Sequence, residues 1–137
     1  HYDKREAYDL SNLFRTMFTL ELEEKLRQKH YETIAVSCHP GVTLTNISRF
    51  MPKILGNSIL TKIMNTLVFH TPYKAAMPAL MATTSSNVKG GDFLGLNTKK
   101  QYRGIPKVVQ PNQLACDKSL REILWRKSVE ITGVDLV

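Results

Sequence analysis

A tyrosine and an asparagine one helical turn apart are the residues of this chain that point most directly to chemistry. Tyr8 lies in the run AYDLSN, and Asn12 follows it by four positions. Side chains at positions i and i+4 share a helix face, so a lysine at position 12 would favour the tyrosinate form of its neighbour. Asn12 can donate hydrogen bonds but carries no charge. The pair therefore has the shape of a proton-donating site without its cationic member.

The composition predicts a folded unit with a buried core. The chain has 137 residues, of which 42% are hydrophobic and 23% are charged. That length suits one domain, and that balance argues against wholesale disorder. The two cysteines, Cys38 and Cys116, form no CxxC and no metal-like Cys/His spacing. We therefore expect neither a disulfide scaffold nor a metal site, and we expect a reducing compartment.

Positive charge is abundant but mostly dispersed. The formal net charge is +7, and the sequence pI is about 9.5. The only local cluster is Lys99, Lys100 and Arg103, with Tyr102 between its members. Nucleic-acid binding usually requires a denser stripe or a recognisable module, so a nucleic-acid partner is not expected.

The sequence shows no signal peptide and no membrane span. Its most apolar stretch, residues 54–69, is interrupted by Asn57, Lys62 and Asn65 and falls short of about 18 uninterrupted apolar residues. Membrane association is expected only through a segment outside this chain. The expected location is the cytoplasm or the cytosolic face of a membrane.

The first third of the chain predicts a long helix followed by a strand. Apolar residues recur at three- and four-residue spacing over residues 8–29, which predicts one amphipathic helix that begins at Tyr8. Residues 33–38, TIAVSC, are apolar and β-branched, and they precede Pro40-Gly41. They predict a short buried strand that runs into a turn.

The remaining pattern predicts three more helices and one more strand. Helical spacing returns over residues 55–67 and again over residues 72–83, where Thr71 is the expected cap. A strand is predicted over residues 92–96, followed by a polar loop that contains Gly104-Ile105-Pro106. A last helix is predicted over residues 118–132, closed by Gly133.

Helices that alternate with strands predict an α/β fold with a parallel sheet. Only two strands are predicted, although a parallel sheet normally contains more. The sequence also has no GxGxxG phosphate loop. We therefore expect the C-terminal part of a larger α/β domain.

Three segments in order carry a family resemblance over nearly the whole chain. They are AYDLSNLFRTMFTLEL, VSCHPGVTLTNI and GIPKVVQPNQLACDKSLREILWRKSVEITG. Together they resemble the C-terminal half of the short-chain dehydrogenase/reductase family, especially its retinol dehydrogenase, WW-domain oxidoreductase and protochlorophyllide reductase-like branch. The resemblance implies that residues 1–137 are a partial domain of that family. It also implies a Rossmann-type, doubly wound parallel sheet that lacks the N-terminal dinucleotide-binding half.

The resemblance implies roles for two groups of residues. Tyr8 matches the catalytic tyrosine, Ser11 matches a packing serine, and Asn12 occupies the position of the family's lysine. The cofactor would be NAD or NADP. Its nicotinamide end would meet the residues that match the family's turn after the central strand, which are Pro40, Gly41, Val42 and Thr45.

The substrate side is predicted less closely. Met51, Leu55 and Ile59 fall where the family places a substrate-covering segment, so they could line an apolar pocket. They could equally belong to a helix that packs on the core or on another subunit, and a homo-oligomer stays open. His39 and Asn46 are interpreted as structural residues.

Three functions remain in view at this point. The first is an NAD(P)-dependent oxidoreductase that moves a hydride between nicotinamide and an alcohol or carbonyl substrate, and the family branch implies that this substrate is apolar. The second is a catalytically silent relative that keeps the fold for cofactor binding or protein interaction, and Asn12 favours it. The third is a truncated product without independent activity.

Overall fold

The chain folds into a mixed α/β arrangement. The computed structural model describes residues 2–42 and 71–137. In chain order the elements are helix α1 (Lys4–Gln28), strand β1 (Ser37–Cys38), helix α2 (Pro72–Thr84), strand β2 (Phe93–Leu96), strand β3 (Pro106–Val109), a 3₁₀ turn (Gln113–Cys116) and helix α3 (Lys118–Thr132). The helix predicted over residues 55–67 lies outside the described residues.

The three strands form one sheet in the order β1-β2-β3. β1 and β2 run parallel, because the Ser37 N–H donates to the Asp92 oxygen and the His39 N–H donates to the Leu94 oxygen, advancing together along both strands. β2 and β3 form a hairpin that is closed by a 3.0 Å bond from the Asn97 N–H to the Ile105 oxygen. The described sheet is therefore mixed, and the prediction of two parallel strands missed β3.

Helix α1 begins earlier than the apolar pattern predicts. The Asp3 carboxylate accepts hydrogen bonds from the backbone N–H groups of Arg5 and Glu6, at 2.7 and 3.2 Å. This N-cap starts the helix at Lys4, four residues before the predicted start at Tyr8. The apolar face begins later than the helix does, so periodicity alone placed the start too late.

The predicted buried strand over residues 33–38 is mostly absent. Only Ser37–Cys38 is a strand, and Ile34 is 48% exposed. The Ala35 N–H donates to the Glu23 carboxylate at 2.8 Å, whereas the Ala35 oxygen accepts the Gly91 N–H at 2.8 Å. The predicted strand was therefore too long, because regular strand structure begins only at Ser37.

The other two described helices agree with their local signals. Thr71 caps α2 by accepting from the Lys74 N–H, and α2 ends one residue beyond the predicted end. α3 has the predicted bounds, with Asp117 as its N-cap and Gly133 as its C-cap at a φ of 70°. Capping residues next to α3 in the sequence satisfy backbone groups at both of its ends.

The described residues divide into two compact units. The first contains residues 2–37, 87–93 and 110–137, and the second contains residues 38–42, 71–86 and 94–109. The first unit has a core made of Met17, Leu26, Val88, Ala115 and Trp125. The largest buried side chains of the second unit are Pro78, Leu94 and Leu96.

Candidate active site

Tyr8 lies one turn inside α1 and presents its ring to solvent. Its side chain is 59% exposed. The Ser11 hydroxyl donates to the Tyr8 backbone oxygen at 2.7 Å, so it serves the helix backbone. Within residues 2–42 and 71–137, no group hydrogen-bonds the Tyr8 phenol. The phenol is therefore accessible to a bound molecule in this structure.

Asn12 lies in the same helix, one turn after Tyr8, and is half-buried. Both residues have helical backbone, so their side chains emerge from one face of α1. The Asn12 backbone oxygen accepts a 3.3 Å hydrogen bond from the Thr16 hydroxyl. The neutral amide leaves this face without the cation that a lysine would supply at position 12.

The residues of the predicted cofactor turn directly follow β1 in the second unit. The Gly41 N–H donates to the His39 Nδ1 atom at 2.9 Å, and the Val42 N–H donates to the Tyr102 oxygen at 2.9 Å. These two bonds fix the path of the chain after Pro40. They tie the turn to its own strand and to the loop that joins β2 and β3.

Gly41 is required by its backbone conformation and by its close neighbours. Its φ is +77°, in the left-handed region that side chains disfavour. A Cβ built at this position would lie 2.6 Å from Leu96 Cδ1 and 2.7 Å from the Tyr102 oxygen. The glycine therefore lets the chain itself pack closely, whether or not a ligand approaches the turn.

His39 has a definite structural role, as the sequence analysis expected. Its Nδ1 atom accepts the Gly41 N–H, which requires a lone pair on that nitrogen and a proton on the other in the neutral ring. Partial burial lowers the pKa of His39. The neutral form thus holds the turn together.

The backbone donors of this turn are already used within the chain. The N–H groups of Gly41 and Val42 both bond to protein atoms. A nicotinamide cofactor could meet the turn through its carbonyls and its surface, at the carboxyl end of a parallel strand where α/β sheets bind ligands. Thr45 lies outside the described residues, as do Met51, Leu55 and Ile59.

Sequence reasoning missed the loop residues that support the turn. Tyr102 and Leu96 surround Gly41, and neither was predicted to belong to the site. Tyr102 reaches the turn only because β3 folds back on β2. The run PKVV at residues 106–109 was the available signal for β3, because β-branched residues after a proline favour an edge strand.

The helix that carries Tyr8 is held by aromatic and ionic contacts with α3. The Phe18 and Trp125 rings stack with centroids 4.8 Å apart, and the Lys25 ammonium lies 5.1 Å from the Trp125 ring centroid. The Arg121 guanidinium bonds Glu24 at 2.8 Å and Glu21 at 3.4 Å. These contacts fix α1 by its second half and leave the turn that bears Tyr8 open.

Charge also links the two helices at their surface. The Lys118 ammonium donates to the Glu24 carboxylate at 2.6 Å. This hydrogen bond and the charges of Lys118 and Arg121 hold the pKa of Glu24 below its usual value, although burial opposes them. The same hydrogen bond raises the pKa of Lys118.

Two hollows are lined by described residues of the first unit, and neither of these two is lined by Tyr8 or Asn12. An open groove of about 420 Å³ lies beside the first turns of α1, between Asp3, Leu13 and Asn112. A more enclosed and more apolar cavity of about 290 Å³ is lined by Phe18, Trp125 and the segment after α3.

The helices of residues 2–42 and 71–137 include none that is long and apolar enough to cross a membrane.

Comparisons with known proteins place this chain beside dehydrogenases. It is 25% identical to human polyprenol dehydrogenase over 133 residues. It is 28% identical to retinol dehydrogenase 14 of Mus musculus and of Homo sapiens, again over 133 residues. Each alignment covers 97% of this chain but only 37–38% of the relative. The chain therefore spans a little over a third of the length of these relatives. The alignments support the short-chain dehydrogenase/reductase resemblance at a coarse level.

A solved structure shares the fold. An uncharacterized protein from Mycobacterium paratuberculosis matches the whole chain with a TM-score of 0.70 and 22% identity, over 42% of its own length. At that identity the likeness concerns the fold alone, and it agrees with part of a Rossmann-like domain. No family model matches the sequence.

Proposed function

We propose that the protein is an NAD(P)-dependent oxidoreductase acting on an apolar alcohol or its carbonyl counterpart. The observation that carries this proposal is the exposed phenol of Tyr8 on a regular helix, in a chain whose aligned relatives are named dehydrogenases. When bound, the nicotinamide cofactor supplies or accepts the hydride. The protein must then orient the two reactants and handle one proton.

Tyr8 is the proposed proton donor and acceptor. In the reducing direction its phenol gives a proton to the carbonyl oxygen as the hydride reaches the carbonyl carbon; in the oxidising direction the tyrosinate takes the hydroxyl proton. Its exposure leaves room for a substrate oxygen. Pro40, Gly41, Val42 and Thr45 are the residues proposed to face the nicotinamide end.

An apolar substrate is the class that the relatives support. Two of them are named for polyprenol and retinol, which are both apolar alcohols. Met51, Leu55 and Ile59 are proposed to line the pocket, because apolar walls with few polar groups bind such ligands.

A silent relative is the second candidate, and Asn12 favours it. A neutral amide cannot supply the electrostatic stabilisation of a tyrosinate that a lysine gives. In that case the protein would bind the cofactor or a protein partner without turnover.

Binding and turnover of the full-length protein separate these functions. NADH and NADPH binding is followed by nicotinamide fluorescence, and oxidation of retinol or a polyprenol is followed by absorbance. Tyr8→Phe should reduce turnover by roughly 100-fold while binding persists, because it removes only the proton-transferring hydroxyl. Tyr31→Phe is the matched control, since Tyr31 is similarly exposed at 55%. If neither nucleotide binds, the enzyme and the silent relative that binds the cofactor are both wrong, and only a protein-interaction role is left.

The lysine position offers a gain-of-function test. Asn12→Lys should raise turnover by about tenfold and shift the rising limb of the pH–rate profile to lower pH. Gln28→Lys adds the same charge to the last turn of the same helix and should change neither quantity. A rate that stays at background in the Asn12→Lys protein, with nucleotide binding intact, would favour the silent relative.

A further inference from the structure

The loop between β2 and β3, residues 97–105, concentrates the positive charge of the chain. It carries Lys99, Lys100 and Arg103, and Lys107 follows on β3. The sequence from Phe93 to Cys116 contains these four cations and no aspartate or glutamate. This segment alone provides more than half of the net charge of +7.

All four cations are exposed, and the three lysines among them are not used in the ionic contacts of the helices. Ion pairs join and brace α1 and α3, and Lys99, Lys100 and Lys107 take part in none of these pairs. The charge of these three lysines is therefore available to an outside partner.

Two large apolar side chains stand among the cations. Ile105 is 70% exposed, and Tyr102 is 47% exposed. An aliphatic side chain cannot interact favourably with a phosphate backbone, whereas it can enter the region between lipid headgroups and acyl chains. Tyrosine has an apolar ring and a polar tip and is enriched at such interfaces.

The loop is held in shape before it meets any partner. The Asn97 side chain accepts the Ile105 N–H at 3.0 Å, and the Gln101 N–H donates to the Thr98 oxygen at 2.9 Å. The Thr98 hydroxyl donates to the Arg103 oxygen across the loop. A surface that is already ordered loses little conformational entropy on binding.

The loop also borders the turn that follows β1. Tyr102 accepts the Val42 N–H at 2.9 Å and packs against Gly41. β1 and β2 are parallel, so the turn and the loop both leave the carboxyl end of the strand pair. A partner bound to the loop therefore lies next to the candidate cofactor turn.

We propose that the β2–β3 loop docks on the surface of an anionic lipid bilayer. Lys99, Lys100 and Lys107 meet the headgroup charge, and Tyr102 and Ile105 enter the interface. The mixture of cations with exposed apolar side chains favours lipid over nucleic acid, which calls for a denser basic stripe. This inference goes beyond the proposed function and stands without it, since it requires neither cofactor nor turnover.

Vesicle co-sedimentation of the full-length protein tests the docking surface. Vesicles of phosphatidylcholine alone are compared with vesicles that contain roughly one-third phosphatidylserine at low ionic strength. The Lys99→Gln/Lys100→Gln variant should bind the anionic vesicles about 25-fold more weakly, at about fivefold for each lysine. The Lys4→Gln/Lys29→Gln variant removes the same charge from exposed positions flanking and within α1, and should lose less than about threefold.

A second variant tests the apolar part of the surface. Tyr102→Ala/Ile105→Ala keeps every charge and keeps the backbone oxygen that Val42 uses. It should weaken binding to anionic vesicles about tenfold while leaving the salt dependence unchanged. An unchanged melting temperature in each variant shows that the fold is retained.

Three results would overturn the proposal. One is an equal loss in the two double-lysine variants, which would reduce the effect to net charge. Another is equal binding of wild type to neutral and anionic vesicles. The third is tighter binding to a short DNA duplex than to anionic vesicles with the same dependence on Lys99 and Lys100, which would make the loop a nucleic-acid surface.

Discussion

The helix pair of the first unit and the turn of the second unit are positioned by different kinds of contact. α1 and α3 are joined by side chains, through the Phe18–Trp125 stack and the ion pairs of Arg121. The turn at Gly41 is shaped by the hydrogen bonds of its backbone N–H groups, one of them to the His39 ring, and by the absence of a side chain at Gly41. Mutations in the two regions should therefore lower the stability of the fold for different reasons.

This difference separates the two halves of the proposed chemistry. The helix that carries Tyr8 can tolerate many surface changes, provided that its packed half keeps its partners. In the turn assigned to the cofactor, Gly41 tolerates almost no substitution, because its backbone has a positive φ and neighbouring atoms fill the space of a Cβ. Substitutions in each region, paired with a control that keeps the local chemistry, can break or sharpen this contrast.

The largest effect is expected at Gly41. Gly41→Ala should lower the free energy of unfolding by about 3 kcal/mol, because a Cβ adds left-handed strain and overlaps Leu96 and Tyr102. Gly133→Ala is the control, since Gly133 has a φ of +70° but no atom within 4 Å of its built Cβ. It should cost about 1 kcal/mol in urea unfolding. Equal costs would show that close packing at Gly41 contributes nothing.

A smaller effect is expected at the ionic contacts of the helix pair. Arg121→Ala should cost about 2 kcal/mol in urea unfolding, because it leaves the Glu21 carboxylate, only 6% exposed, without its guanidinium partner. Lys127→Ala removes a cation whose side chain and Glu130 partner are both about 60% exposed, and should cost less than about 0.5 kcal/mol. Similar costs for the two variants would place the stability of this region in its apolar contacts alone.

The smallest effect is expected from the protonation of His39. Its pKa is lowered in the folded chain, so the unfolded chain takes up this proton first as the pH falls below about 6.5. The contribution of His39 to stability is therefore complete above that pH, declines as the pH falls towards the folded pKa, and then levels off. Protonation also removes the Nδ1 acceptor of the Gly41 N–H.

His39→Asn should flatten this decline, since asparagine offers an oxygen acceptor near the position of Nδ1 and does not titrate. The free energy of unfolding is measured by urea titration at closely spaced pH values. His30→Asn is the control, because His30 has a φ of 58° that asparagine tolerates, and it should keep the decline. A decline that persists in His39→Asn would assign it to other groups. Glu24 affects stability in a lower pH window. The stability that its lowered pKa contributes is present above the pKa of the unfolded carboxyl group and is lost as the pH falls through the folded pKa.

Local signals predicted the helices better than the strands. The predicted bounds of α3 and its closure by Gly133 are confirmed, and the structure adds Asp117 as the N-cap. Asp3 was an equally local signal for the start of α1, but it lies before the apolar pattern and was overlooked. The run PKVV was a local signal for β3, but it spans only four residues and does not reveal the pairing with β2.

The residue types of the candidate site were predictable from the sequence, but not all of the residues that hold them in place. The spacing of Tyr8 and Asn12 follows from helix periodicity, and their positions in α1 keep that geometry. The donors and acceptors that hold Gly41 come from His39 and Tyr102, one of them more than half the chain away from the first motif. His39 is a local partner, two residues before Gly41, whereas Tyr102 reaches the turn through the tertiary fold and leaves no local trace in the sequence.

Glu23 and Gly90 form a matched pair with a consequence for substitutions at position 90. The Glu23 carboxylate occupies the space that a Cβ at Gly90 would need, and it accepts the Ala35 N–H from that position. A side chain at position 90 would have to displace the flexible end of Glu23 and so remove the acceptor of the Ala35 N–H. A substitution at position 90 is therefore felt through Glu23 at the backbone that leads into β1.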